Sequence, residues 1–116
     1  MVLESLEEIA NYIVADGKGI LAADESNPTC GKRFDSIGVE STEVNRRDYR
    51  EMLFRAEGIN NNIGGIILFD ETIRQKAKDG TPLVDFITAQ GALPGIKVDK
   101  GLKPLDNSPE ETVTQG

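Results

Sequence analysis

The apolar positions of this chain follow two periods, and the switch between them marks out its elements. Leu3, Leu6, Ile9, Ala10 and Ile13 recur three or four residues apart, with Glu4, Glu7, Glu8 and Asn11 between them. That spacing predicts an amphipathic helix over Leu3–Val14, closed at Asp16-Gly17, with its glutamates near the electropositive start. The pattern then changes to an unbroken run, Ile20-Leu21-Ala22-Ala23, between a glycine turn and the abrupt polar stop Asp24-Glu25-Ser26. An apolar run of that length, bounded in that way, suits a strand covered on both faces, as parallel sheets require. The same pattern returns in Ile63-Gly64-Gly65-Ile66-Ile67-Leu68-Phe69, again ending in acid at Asp70-Glu71. The glycine pair inside it implies that another backbone or a tightly packed layer lies close by.

Between and after these strands the helical period returns. Asn27-Pro28 opens a short helix with a cap and a first-turn proline, Cys30, Phe34 and Ile37 forming its inner side and Gly38 its stop. Glu40-Ser41-Thr42 caps a longer helix reaching about Ala56. Val44, Tyr49, Met52, Leu53 and Ala56 make its apolar stripe, leaving Arg46, Arg47, Asp48, Arg50 and Glu51 as a solvated mixed-charge face. Gly58 ends it, and Asn60-Asn61-Asn62 reads as a polar loop. A helical stretch from Ile73 to Lys78 stops at Asp79-Gly80. Another starts at Thr81-Pro82, buries Leu83, Val84, Phe86 and Ile87, and closes at Gln90-Gly91.

A third strand spans Pro94–Gly101, with Ile96 and Val98 on one side and Lys97 and Asp99 on the other. Leu102–Gly116 carries no further period and reads as a polar loop tail. Strands alternating with helices make this an α/β chain with parallel strands and helical crossovers. Three strands alone form a thin sheet with two open edges, which looks incomplete.

Composition narrows the chemistry. In 116 residues there are 13 Lys and Arg against 20 Asp and Glu, a formal charge of −7 that disfavours nucleic acid as a partner. An anionic substrate would need a local basic patch. The single cysteine, Cys30, forms no internal disulfide and fits a reducing, cytoplasmic setting. With no histidine, acid–base work falls to carboxylates, lysines, hydroxyls or the thiol. No segment is long and apolar enough to span a membrane, and no signal-peptide core follows Met1.

Two residues stand out by position. Asp24 lies at the carboxyl end of a buried strand, where α/β folds place their chemistry, or else it caps the next helix. Lys97 points into a sheet or barrel interior, where lysines are uncommon, or else it lies on the wet face of an edge strand. Gly31-Lys32 invites comparison with a phosphate-binding P-loop. The comparison fails, because Ser26 stands where the first glycine is needed and Arg33 where the hydroxyl residue is. A dinucleotide-binding domain is disfavoured too, as no G-x-G-x-x-G follows the first strand.

Several segments resemble the amino-terminal part of class I fructose-bisphosphate aldolase, in the family's order and spacing. They are Gly19–Ser26, Gly31-Lys32-Arg33, Asn45-Arg46-Arg47, Ile66–Thr72, Pro94–Gly101 and the closing Thr114-Gln115-Gly116. Asn27-Pro28-Thr29-Cys30 is nearer to plastid-like and some bacterial members than to animal ones. The resemblance implies the first three β/α units of a (β/α)8 TIM barrel, in a cytosolic or plastidic protein that is commonly a homotetramer. It implies reversible cleavage of fructose 1,6-bisphosphate to dihydroxyacetone phosphate and glyceraldehyde 3-phosphate in glycolysis and gluconeogenesis. No metal or other cofactor is implied, since a lysine Schiff base serves as the electron sink.

By the same resemblance Asp24 is a carboxylate near the Schiff-base lysine and assists proton transfer, while Lys97 meets substrate oxygen or phosphate. Ser26 and Thr29 contribute hydroxyls to a substrate phosphate, and Lys32 and Arg33 add positive charge at the rim. A complete barrel needs about 250 residues, and the family's Schiff-base lysine and acid/base glutamate lie beyond Gly116. The expectation is therefore an aldolase fragment, inactive by itself. The alternative is a non-catalytic phosphosugar-binding or interaction module, which would need its open sheet stabilised by edge pairing in an oligomer.

Overall fold

A computed structural model describes residues 2–116. The first helix, α1 (Leu6–Ile13), starts later than its apolar spacing suggests, because Ser5 caps it by accepting from the Glu8 amide. β1 (Gly19–Ala23) leads into α2 (Asn27–Asp35), whose N-cap is Ser26. Thr42 caps α3 (Glu43–Phe54) by accepting from the Asn45 amide at 3.1 Å. The single turn α4 (Ile59–Asn62), in place of the expected loop, runs directly into β2 (Ile63–Leu68). The helix expected over Ile73–Lys78 is instead one turn further back, α5 (Asp70–Ile73). Its successor residues form an irregular arm in which Lys76 bridges to Pro82. α6 (Leu83–Ala89) and β3 (Leu93–Ile96) follow.

The three strands form a parallel sheet in the order β1-β2-β3. Ala23, Leu68 and Ile96 share one register row, and Ala22, Ile67 and Gly95 the row before it. One face of the sheet holds the core, in which Ala23, Ile66 and Leu68 meet Phe54 of α3 and Leu83 and Ile87 of α6. Each large apolar side chain buried there contributes roughly 1.5–3 kcal/mol. The opposite face is apolar and partly open, with Ile20 47% exposed. α1 lies across its lower end. A Cβ on Gly64 would collide with the Ile13 carbonyl, and one on Gly65 would sit 3.1 Å from Ile13 Cγ2. This is the close approach that the glycine pair implied. Tyr12 Oη donates to the Gly91 carbonyl at 2.5 Å and holds the helix there.

Several side chains depart from their expected places. Ile37 lies past the end of α2 and is 72% exposed. Val44 and Met52 of α3 face outward, whereas Arg50, expected on the solvated face, is fully buried. The inward row of α3 is Arg46, Arg50 and Phe54, four residues apart, so its upper half meets the strand ends with charge and its lower half meets the core with a ring.

The segment 102–116 is not a loop tail. It forms an antiparallel hairpin of β4 (Leu102–Leu105) and β5 (Ser108–Thr114), closed by Asp106-Asn107 with Asn107 at φ 65°. Asn tolerates that left-handed turn geometry. Both faces of the hairpin are wet, so no alternation of apolar and polar residues marks it.

Candidate active site

Asp24 and Glu25 follow β1 directly, and consecutive strand residues point to opposite faces. Glu25 therefore turns toward the helices and Asp24 toward the open face. β3 continues one residue past its end, where the Lys97 amide donates to the Leu68 carbonyl at 2.9 Å. That bond brings the Lys97 side chain onto the same face, in a row that reads Asp24, Phe69, Lys97 across the sheet.

Lys97 Nζ lies 3.6 Å from Asp24 Oδ2 and donates to Asp99 Oδ1 at 2.6 Å. About a quarter of each side chain in the Asp24–Lys97 pair is exposed. The hydrogen bond to Asp99 and the negative charges of Asp99 and Asp24 raise the Lys97 pKa, outweighing partial desolvation. Asp99 is lowered by accepting from Lys97 and from the Gly101 amide. Lys97 is thus held as a cation. It suits contact with a developing oxyanion or a phosphate, and it is the opposite of the depressed lysine that attacks a carbonyl.

Because the N-cap of α2 is Ser26, Asp24 is not that helix's cap. The Ser26 side chain caps nothing; its Oγ lies 3.2 Å from Thr29 Oγ1. Two hydroxyls thus sit together on the first turn of α2, beside backbone amides that favour an anion. Lys32 and Arg33 occupy the last turn of α2 and are exposed. Arg33 turns to the Glu25 carboxylate rather than to the Asp24–Lys97 pair.

Glu25 is the partner the charge pattern did not single out. Besides Arg33, its carboxylate accepts from Tyr49 Oη at 3.1 Å and lies 3.6 Å from Arg50 Nη2. Arg50 Nη2 also donates to the Glu25 carbonyl at 2.7 Å. One turn earlier Arg46 grips Glu71 with two bonds, Nε to Oε2 at 2.8 Å and Nη2 to Oε1 at 2.7 Å. Those bonds hold the Glu71 carboxyl below its ordinary pKa. Burial pushes the Cys30 thiol up, which leaves it inert as a nucleophile near neutrality. The four-residue spacing of Arg46 and Arg50, set against an acid after each of two strands, was the signal that could have revealed both clamps.

The family model described as class-I fructose-bisphosphate aldolase matches residues 5–116. This chain belongs to the class-I fructose-bisphosphate aldolase family. It is 55% identical over 116 residues to a probable fructose-bisphosphate aldolase class 1 of Xanthomonas axonopodis, covering all of this chain and 35% of the relative. It is 57% identical over 114 residues to a fructose-bisphosphate aldolase of Drosophila melanogaster, covering 97% of this chain and 32% of that one. Among solved structures, it matches the Plasmodium falciparum fructose-bisphosphate aldolase crystallised with TRAP and a small-molecule inhibitor. The TM-score is 0.86 at 49% identity, over 93% of this chain and 31% of that one. The chain thus spans about a third of the length of the aldolases it matches. Among the described residues, no helix is long and apolar enough to cross a membrane.

Proposed function

We propose that these 116 residues are the amino-terminal portion of a class I aldolase that reversibly cleaves fructose 1,6-bisphosphate to two triose phosphates. In this reading the sheet supplies the first three strands of a (β/α)8 barrel, and its open apolar face is the inner wall that the later strands complete. The observation that carries it is the 3.6 Å approach of Asp24 to Lys97 at the carboxyl ends of separate parallel strands. A barrel builds one site from distant sequence in this way.

Asp24 exchanges a proton at the reacting carbons, close to a Schiff base formed by a lysine outside this segment. Lys97, kept protonated by Asp99 and Asp24, meets a substrate oxygen or phosphate. Ser26 and Thr29 donate hydroxyl hydrogens to a phosphate at the start of α2. Lys32 supplies the local positive charge that a −7 chain otherwise lacks, joined by Arg33 when it leaves the Glu25 carboxylate. The protein works in the cytoplasm, as a homotetramer.

The segment alone lacks the electron-sink lysine and is inactive. Borohydride treatment with dihydroxyacetone phosphate is expected to leave the purified 116-residue chain unmodified, whereas the complete enzyme is trapped and cleaves substrate. A stable adduct on the 116-residue chain would sink the proposal.

A further inference from the structure

The buried arginine of α3 has no counterpart in the chemistry assigned so far. Arg50 is fully buried, and among the described residues its Nε and Nη1 find no hydrogen-bond partner. Its remaining nitrogen, Nη2, is spent on Glu25, the residue directly after Asp24: 2.7 Å to the carbonyl and 3.6 Å to the carboxylate. A buried guanidinium that leaves two donors idle is a poor stability device, and such ion pairs are often replaced by apolar residues at no net loss. Its reach to a backbone carbonyl is more informative. That carbonyl belongs to the peptide joining Glu25 to Ser26, so the bond, with the contact to the carboxylate, anchors Glu25 at both backbone and side chain. Asp24 is carried on the residue directly before that anchor. Tyr49 and Arg33 hold the Glu25 carboxylate alone, so only Arg50 grips both backbone and side chain.

We propose that Arg50 is a positioning residue for Asp24: it clamps the end of β1 from the helix side so that the carboxylate on the open face stays within reach of Lys97. This rests on the catalytic reading of Asp24. Displacing a catalytic group by about 1 Å can cost on the order of 100-fold in rate. Losing the clamp therefore lowers turnover more than it weakens phosphate binding, because Thr29, Lys32 and Arg33 are carried further along α2.

The test uses a full-length aldolase carrying these 116 residues as its corresponding segment, assayed for fructose 1,6-bisphosphate cleavage. Arg50→Met is expected to lower kcat about ten-fold or more, with KM changed less than about three-fold. Arg50→Lys, which restores one donor, is expected to recover part of that loss. The double variant Asp24→Asn with Arg50→Met is expected to match Asp24→Asn alone, because Arg50 acts only through Asp24. If the two effects multiply, or if Arg50→Met leaves kcat unchanged while Asp24→Asn abolishes it, Arg50 does not position Asp24 and the catalytic reading survives. If Asp24→Asn itself retains full activity, that reading fails and takes this inference with it. Should Arg50→Met not fold, Arg50→Lys decides: a folded variant with unchanged kcat overturns the proposal.

Discussion

The ends of β1 and β2 carry the same pattern, an apolar run closed by an aspartate and a glutamate, yet they have become different things. At β1 the acid begins one row past Ala23, so Asp24 faces the open side with Lys97 and Glu25 faces α3. At β2 Phe69 takes the row that Asp24 takes in β1, and the acid pair is delayed by one residue. Asp70 then starts α5, is 62% exposed and pairs with Arg74 of the same turn. Glu71 turns back to Arg46. Because strand side chains alternate with period two, one inserted residue moves a carboxylate from the row shared with Lys97 to the surface. What the two ends share is the structural half: each glutamate receives one arginine from the inward row of α3.

The largest expected effect breaks the comparison at the aspartates. In a full-length enzyme, Asp24→Asn should reduce kcat by roughly 10²–10⁴-fold, the range of a general acid–base group. Asp70→Asn should stay within about two-fold, since that carboxylate is exposed and away from Lys97. Equal losses would show that the offset of one residue does not matter.

The glutamate of the second end comes next. Glu71→Gln removes the charge from a two-bond grip on Arg46 and should cost about 1.5–3 kcal/mol at neutral pH, read by urea unfolding. Its pH dependence has a defined sign. The folded carboxyl lies below the ordinary glutamate value of 4.5. Its contribution is therefore present above about pH 4.5 and lost as pH falls through the depressed folded value. The Gln variant should show less acid destabilisation in that window, and an unchanged acid limb would count against the grip.

The beginning of β2 differs from that of β1 as well, because Ile13 of α1 presses on Gly64 and Gly65 while nothing lies within 4 Å of a Cβ at Gly19. Gly64→Ala should cost about 1–3 kcal/mol through the collision with Ile13, as over-packing does. Gly19→Ala, with open space around it, should cost less. Thermal unfolding of the two variants measures the difference. The smallest effect belongs to Arg74→Ala, whose exposed ion pair with Asp70 should be worth about 0.5 kcal/mol or less. A larger loss would mean that the end of β2 is braced from outside after all.

Most of the chain's elements were legible as sequence, and the reason is local. Apolar runs between glycine and acid marked β1 and β2, and three- and four-residue spacing marked α1, α2 and α6. The hairpin of β4 and β5 was not legible, because its strands bury nothing and its register rests on backbone bonds and one left-handed Asn107. α3 was found but turned the wrong way. Its charged residues looked solvated, and only the approach of Glu25 and Glu71 gives buried guanidinium groups their partners.

The two candidate site residues divide along the same line. That Asp24 follows an apolar strand, and that Lys97 shares a side with Asp99, follows from period and position alone; that one face of that strand is open does not. That Asp24 and Lys97 meet across Phe69, that Asp99 keeps Lys97 charged, and that Ser26 rather than Asp24 caps α2 depended on which strands lie beside which. Sequence by itself determined which residues stand at strand ends, because alternation and chain breaks are properties of neighbours along the chain. Tertiary structure decided which of those ends share a row. Strand order and a one-residue register are settled by packing across the sheet, where residues 73 positions apart come into contact.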